Sequence, residues 1–80
     1  LFNALSEAKN KLNAGESVIS VRDFVYDFFK TNNAIKLEYF EIVRTRDLKN
    51  IIEIEPLEAV SLCIAGYLGK VRLIDNISLN

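Results

Sequence analysis

Histidine occurs nowhere in the 80 residues, which removes imidazole as a general base, as a metal ligand and as a switch titrating near neutral pH. A single cysteine, Cys63, excludes an internal disulfide and fits a reducing compartment. Excess positive charge is missing as well. Ten Lys+Arg against eleven Asp+Glu give a formal charge of -1, without the excess that holds phosphate backbones, so nucleic acid is not expected as a partner. No apolar run approaches the roughly 20 residues of a membrane span. The N-terminus also lacks the basic, apolar, small-residue order of a signal peptide, so a cytoplasmic location and no membrane partner are expected. Methionine is absent, the initiator included, and Leu1 already reads as helix; the chain is therefore expected to be an excerpt from something longer. Gly15, Gly66 and Gly69 are too few and too scattered to cradle phosphate.

Half of the residues are hydrophobic, enough for one core and too little for a second domain. Leu1, Leu5, Ala8 and Leu12 fall on one helical stripe, with Glu7, Lys9, Asn10 and Lys11 on the other faces. Gly15 stops that helix, because glycine enters the left-handed region without a Cβ clash. Ser17 is the expected N-cap of a second helix, whose buried stripe is Val18, Val21, Val25, Phe28 and Phe29 with Phe24 at its flank, and which ends at Thr31, Asn32 and Asn33. Helices this short need a surface to pack on. Residues 37–44, rich in aromatic and β-branched side chains, read as a strand, followed by the polar turn Thr45-Arg46-Asp47 and an anchoring Leu48. A short extended piece over residues 51–54 leads to Pro56, which argues against helix or central strand running through it.

Periodicity alone allows residues 59–79 to be a buried helix or a buried pair of strands. Gly66 and Gly69 favour strands, since each costs a helix about 1 kcal/mol relative to Ala, whereas Gly69-Lys70 between two apolar runs is an ordinary hairpin connection. A two-residue loop pairs Leu68 with Val71, Gly66 with Leu73, Ile64 with Asp75 and Leu62 with Ile77; a three-residue loop would slip the register and swap one strand's faces. In the first register Val60, Leu62, Ile64, Leu68, Val71, Leu73, Ile77 and Leu79 form the face that the helices should cover. Ser61, Cys63, Ala65, Tyr67, Arg72, Ile74, Asn76 and Ser78 form a smaller, more polar one. The expected class is α+β: two N-terminal helices packed on a small antiparallel sheet that ends in a C-terminal hairpin.

Few side chains carry chemistry. Alternation puts Asp75 among apolar residues, where a carboxylate must accept hydrogen bonds from backbone N–H groups or an arginine, or else be neutralised. Its expected role is structural, with a direct part in a site as the lesser alternative. Arg72 and Asn76 flank Ile74 and point together from the smaller face, able to meet a phosphate or a carboxylate on another domain, though a solvated contact is the ordinary use of such residues. Cys63 has no histidine to activate it and is expected to pack inertly. The aromatic group Phe24, Tyr26, Phe28 and Phe29, with Tyr39 and Phe40, reads as core. Glu53 and Glu55 should face water. Nothing assembles a nucleophile, a base and an oxyanion site, so no catalytic, cofactor-binding or metal-binding residue is assigned.

Residues 64–77, Ile-Ala-Gly-Tyr-Leu-Gly-Lys-Val-Arg-Leu-Ile-Asp-Asn-Ile, closely resemble the C-terminal signature of the pantothenate synthetase (pantoate-beta-alanine ligase) family, in which an alanine-containing apolar strand, a glycine turn and Arg-Leu-Ile-Asp-Asn close the protein. Leu37-Glu38-Tyr39-Phe40-Glu41-Ile42-Val43 is similar to the family's Asp-Tyr-apolar-Glu-apolar-Val strand, Leu48 to the leucine after its turn, and Gly15-Glu16 to the Gly-Glu between its two helices. Glu38 stands where the family usually has Asp, Arg44 where an acid is common, and Val71 where Thr is common.

The resemblance implies that these residues are a C-terminal domain hinged as a lid over a larger, Rossmann-like, N-terminal nucleotide-binding domain of the same chain. The implied reaction is activation of pantoate by ATP to a pantoyl-adenylate with release of pyrophosphate, followed by attack of β-alanine to give pantothenate and AMP. ATP and magnesium are implied for the whole enzyme and none is expected on this stretch alone. The family's His-x-Gly-His and Met-Ser-Ser-Arg-Asn motifs would precede Leu1. Arg72, Asp75 and Asn76 then become candidates for the contact between lid and nucleotide domain. Two other classes remain open at this point: a stand-alone α+β interaction module, and, weakly for want of a base, a hydrolase using Cys63.

Overall fold

The computed structural model describes residues 1–32, 34–55 and 58–79. Two helices, α1 (Phe2–Asn13) and α2 (Val18–Thr31), precede three strands, β1 (Lys36–Arg44), β2 (Val60–Leu68) and β3 (Val71–Ser78). The strands form one antiparallel sheet in the order β1-β2-β3, with the helices on one side of it. Neither helix is long and apolar enough to cross a membrane.

Local chemistry sets the helix ends where the residues foretell them. Gly15 sits at φ +97°, and the Gly15 and Glu16 N–H groups donate back to the Leu12 and Lys11 carbonyls, both at 3.1 Å. This pair of bonds is the left-handed C-terminal cap that glycine permits. The Ser17 hydroxyl accepts from the Ser20 N–H at 3.1 Å and satisfies one of the free donors at the start of α2. At the other end the Phe28 carbonyl receives both the backbone and the side-chain N–H of Asn32 at 2.9 Å.

The hairpin takes the register expected of a two-residue loop, pairing Leu68 with Val71, Gly66 with Leu73, Ile64 with Asp75 and Leu62 with Ile77. Gly69 at the first loop position has φ +61°, the requirement of a turn that matches the twist of its strands. Phe40, Ile42, Val60, Leu62 and Ile64 point from the sheet into the core, where they meet Leu5, Val21 and Val25 from the helices.

Four expectations change. Leu48 is no anchor: it is 68% exposed and adopts φ +58°, because the turn closes on itself through the Leu48 N–H to the Arg44 carbonyl at 2.7 Å and the Arg44 N–H to the Lys49 carbonyl at 2.9 Å. The extended piece expected over residues 51–54 is broken by a bend at Ile52 and Glu53. Ile51 is buried and donates to the Ile42 carbonyl, but the chain then bends and Ile52 faces water. The helices are shorter than the hairpin, so Leu68 and Val71, assigned to the covered face, lie beyond them and are 51% and 59% exposed. Tyr26 leaves the aromatic core, being on the outer side of α2. Pro56 falls outside the described residues.

Candidate functional site

The uncovered face of the sheet carries Arg72 and Asn76, two of the three candidates that the sequence singles out. Its geometry starts with a bulge in β1. Leu37 pairs with Gly66 and Tyr39 with Ala65, so Glu38 is an extra residue on one strand only. The irregularity brings the Glu38 carboxylate within reach of Arg72, two strands away. Arg72 lies opposite Tyr67 on the adjacent strand, so its guanidinium crosses β2 to arrive there.

The pair is bidentate. Arg72 Nε donates to Glu38 Oε1 at 2.8 Å and Nη2 to Oε2 at 3.1 Å, the planar fork-to-carboxylate match that arginine makes and lysine does not. The bond from Arg72 holds the Glu38 carboxyl below its usual range against an opposing effect of desolvation, and the same bond pushes the guanidinium further up. Arg72 therefore reaches a carboxylate, as its position allows, but one inside this chain. Both ends are partly open to water.

Asp75 finds one of its two expected kinds of partner, a backbone N–H group. It is half-buried at the sheet edge, and its Oδ1 accepts from the N–H of the very next residue, Asn76, at 2.8 Å; no arginine reaches it. The Asn76 side chain faces solvent. Arg72 and Asn76 share the outer face, whereas Asp75 points to the helix side, so the three do not converge on one point.

Cys63 packs half-buried opposite Glu41, and burial first, then that neighbouring carboxylate, push its thiol up, which leaves it a poor nucleophile. Glu53 and Glu55 face water as expected. Among the described residues no three Cys, Asp or Glu side chains gather to hold a metal ion. The concave places are elsewhere. A hollow of about 490 Å³ between the end of α2 and the start of β1 has Phe29, Ile35 and Leu37 as its floor with Lys30 and Lys36 at its rim, and touches none of the three candidates.

Glu38, the fixed partner of Arg72, is not among the sequence candidates. The signals for it are an acid on a strand that also holds aromatics and its place where the resembled family usually has Asp, and neither reveals a bulge. Gly66 carries a second unforeseen constraint. A Cβ there would lie 2.8 Å from Ile35 Cγ2 and 3.0 Å from the Lys36 carbonyl, so the chain entering β1 rests directly on the glycine.

Comparison with known proteins gives one consistent answer. The profile of the family described as Pantoate-beta-alanine ligase matches residues 1–78. A pantothenate synthetase from Christiangramia forsetii is 39% identical over 80 residues, which is 100% of this chain and 28% of that protein. One from Phocaeicola vulgatus is 36% identical over 77 residues, covering 96% of this chain and 26% of the relative. Among solved structures, the pantothenate synthetase of Thermus thermophilus superposes with a TM-score of 0.83 at 22% identity over 99% of this chain and 28% of that one, a likeness of fold. The chain thus spans little more than a quarter of the length of these relatives.

Proposed function

This chain belongs to the pantoate-beta-alanine ligase family, and we propose that it is the C-terminal lid of an enzyme that joins pantoate to β-alanine. In the proposed reaction the pantoate carboxylate attacks ATP, pyrophosphate leaves, and the β-alanine amine then displaces AMP from the pantoyl-adenylate to form the amide of pantothenate. The observation that carries this reading is the family match over residues 1–78. That match leaves the independent interaction module unsupported, and the raised thiol of Cys63 weighs against the hydrolase.

The residues present do not fit a nucleotide or magnesium site. There is no histidine, no glycine-rich phosphate loop and no cluster of acids among the described residues. In the proposed reading ATP, magnesium, pantoate and β-alanine are held by a larger nucleotide-binding part of the enzyme, and this part contributes shape. A mixed anhydride is lost to water unless its surroundings exclude water, and a stiff cap that closes over it provides that exclusion. The outer face of the sheet suits the contact: the helices leave it uncovered, Arg72 is held flat across it by Glu38, and Ile74 and Asn76 stand exposed beside that pair.

The test uses the 80-residue chain and the longer enzyme that contains it. The chain alone is expected to form no pantothenate from ATP, pantoate and β-alanine. The longer enzyme with these residues deleted is expected to release pyrophosphate without a matching yield of amide, because its intermediate hydrolyses. Turnover by the isolated chain, or full coupling without it, would overturn the lid assignment.

A further inference from the structure

The outer edge of β3 is an invitation to pair with another chain. No strand lies beyond it among the described residues, it runs for 8 residues, and it contains neither proline nor lysine to blunt it. The direction of its backbone groups follows from the ladder. The Leu79 N–H, just past the strand, donates inward to the Val60 carbonyl at 2.9 Å. Inward and outward positions alternate in an antiparallel pair, so Ile77, Asp75 and Leu73 also bond to β2, while Arg72, Ile74 and Asn76 turn their N–H and C=O groups outward.

Two side chains on this strand are charged. Arg72 is drawn back over β2 to Glu38 and does not guard the edge. Asp75 stays at the edge, and its Oδ1 occupies one of the outward donors, the Asn76 N–H, at 2.8 Å. It also points to the helix-covered side, between the positions of Leu73 and Ile77.

We propose that Asp75 is the guard that keeps β3 from pairing edge to edge with a second copy of this chain. Antiparallel pairing of two copies about Ile74 would set Asn76 of each against Arg72 of the other and would need the Asn76 N–H that the carboxylate already holds. The same pairing would bring Asp75 opposite Leu73 of the other copy, on the apolar side of a widened sheet, and strip its water. An inward-pointing charge on an edge strand opposes pairing by this second route as well. The assignment is independent of the ligase reading, since it concerns the strand edge alone.

Sedimentation velocity of the 80-residue chain over a concentration series tests it, with circular dichroism as the check on folding. The wild-type chain is expected to keep the mass of one copy throughout. Asp75→Val should raise the weight-average mass toward twice that value as concentration rises, and the double variant Asp75→Val with Ile74→Lys should return to one copy, because the lysine restores a charge to the exposed centre of the edge. A folded Asp75→Val that stays at one copy overturns the proposal, as does association that Ile74→Lys leaves untouched. Should Asp75→Val not fold, amide exchange of the wild-type chain decides: the Asn76 amide must exchange more slowly than the Ile74 amide on the same edge, and equal rates overturn the assignment.

Discussion

Arg72 and Glu38 pair toward the hairpin end of the uncovered face, and their pairing has a definite pH signature. The Glu38 carboxyl titrates below its ordinary range because the ionised form is held by the Arg72 guanidinium. A depressed folded-state value means that the stabilisation is complete above the ordinary carboxylate range and disappears as pH falls through the folded-state value. The melting temperature of the wild-type chain should exceed that of Glu38→Gln near neutrality, and the gap should narrow and close on acidification. The effect is small and shrinks in salt, since both side chains reach water. Leu48 offers a change of opposite sign. Its φ of +58° is costly for a leucine by about 1–2 kcal/mol, and at 68% exposure it has little packing to lose. Leu48→Gly gives back about 0.5–1 kcal/mol in chain entropy, so a net gain of up to about 1 kcal/mol is expected in the urea midpoint at unchanged slope. Reading Leu48 as an anchor fails because leucine after a polar turn usually packs. The turn geometry, fixed by hydrogen bonds between Arg44, Leu48 and Lys49, decides otherwise.

At the scale of elements, the parts most legible in the residues are those with local causes. Gly15 and Ser17 mark helix ends through bonds made within a few residues of themselves, and Gly69 places the hairpin turn, from which the register of β2 on β3 follows by counting. What stays hidden has non-local causes. The bulge at Glu38 comes from fitting β1 onto β2 across the long connection between them, and the exposure of Leu68 and Val71 from helices that end short of the hairpin tip. Alternation sets Asp75 among buried neighbours because it reports which face a residue takes, not how far that face is covered. Gly66 belongs to the same class: in the sequence it counts only as evidence for a strand, whereas it is the floor under Ile35 and Lys36. Gly66→Ala drives a methyl group into Ile35 Cγ2 and a backbone carbonyl, and a loss of about 1–3 kcal/mol in chemical denaturation is expected.

For the whole molecule, one layer of helix on one layer of sheet is all that shields the core, and the principal dimensions of 39 × 22 × 17 Å describe a slab. A slab has little redundancy. Leu62 lies fully buried in the central strand, and Leu62→Ala is expected to cost about 2–5 kcal/mol, a large share of the roughly 5–15 kcal/mol that holds a domain together, so its thermal transition should fall steeply or vanish. The same thinness suits the proposed role as a cover. The bulge in β1 has one more consequence, concerning the length of the chain. Removing Glu38 would set Leu37 and Tyr39 on consecutive rungs against Gly66 and Ala65, an uninterrupted ladder with every other partner unchanged. This is the point at which the sheet can lose a residue without shifting either neighbour, and a protein shortened there would keep its architecture while leaving Arg72 with nothing to grip.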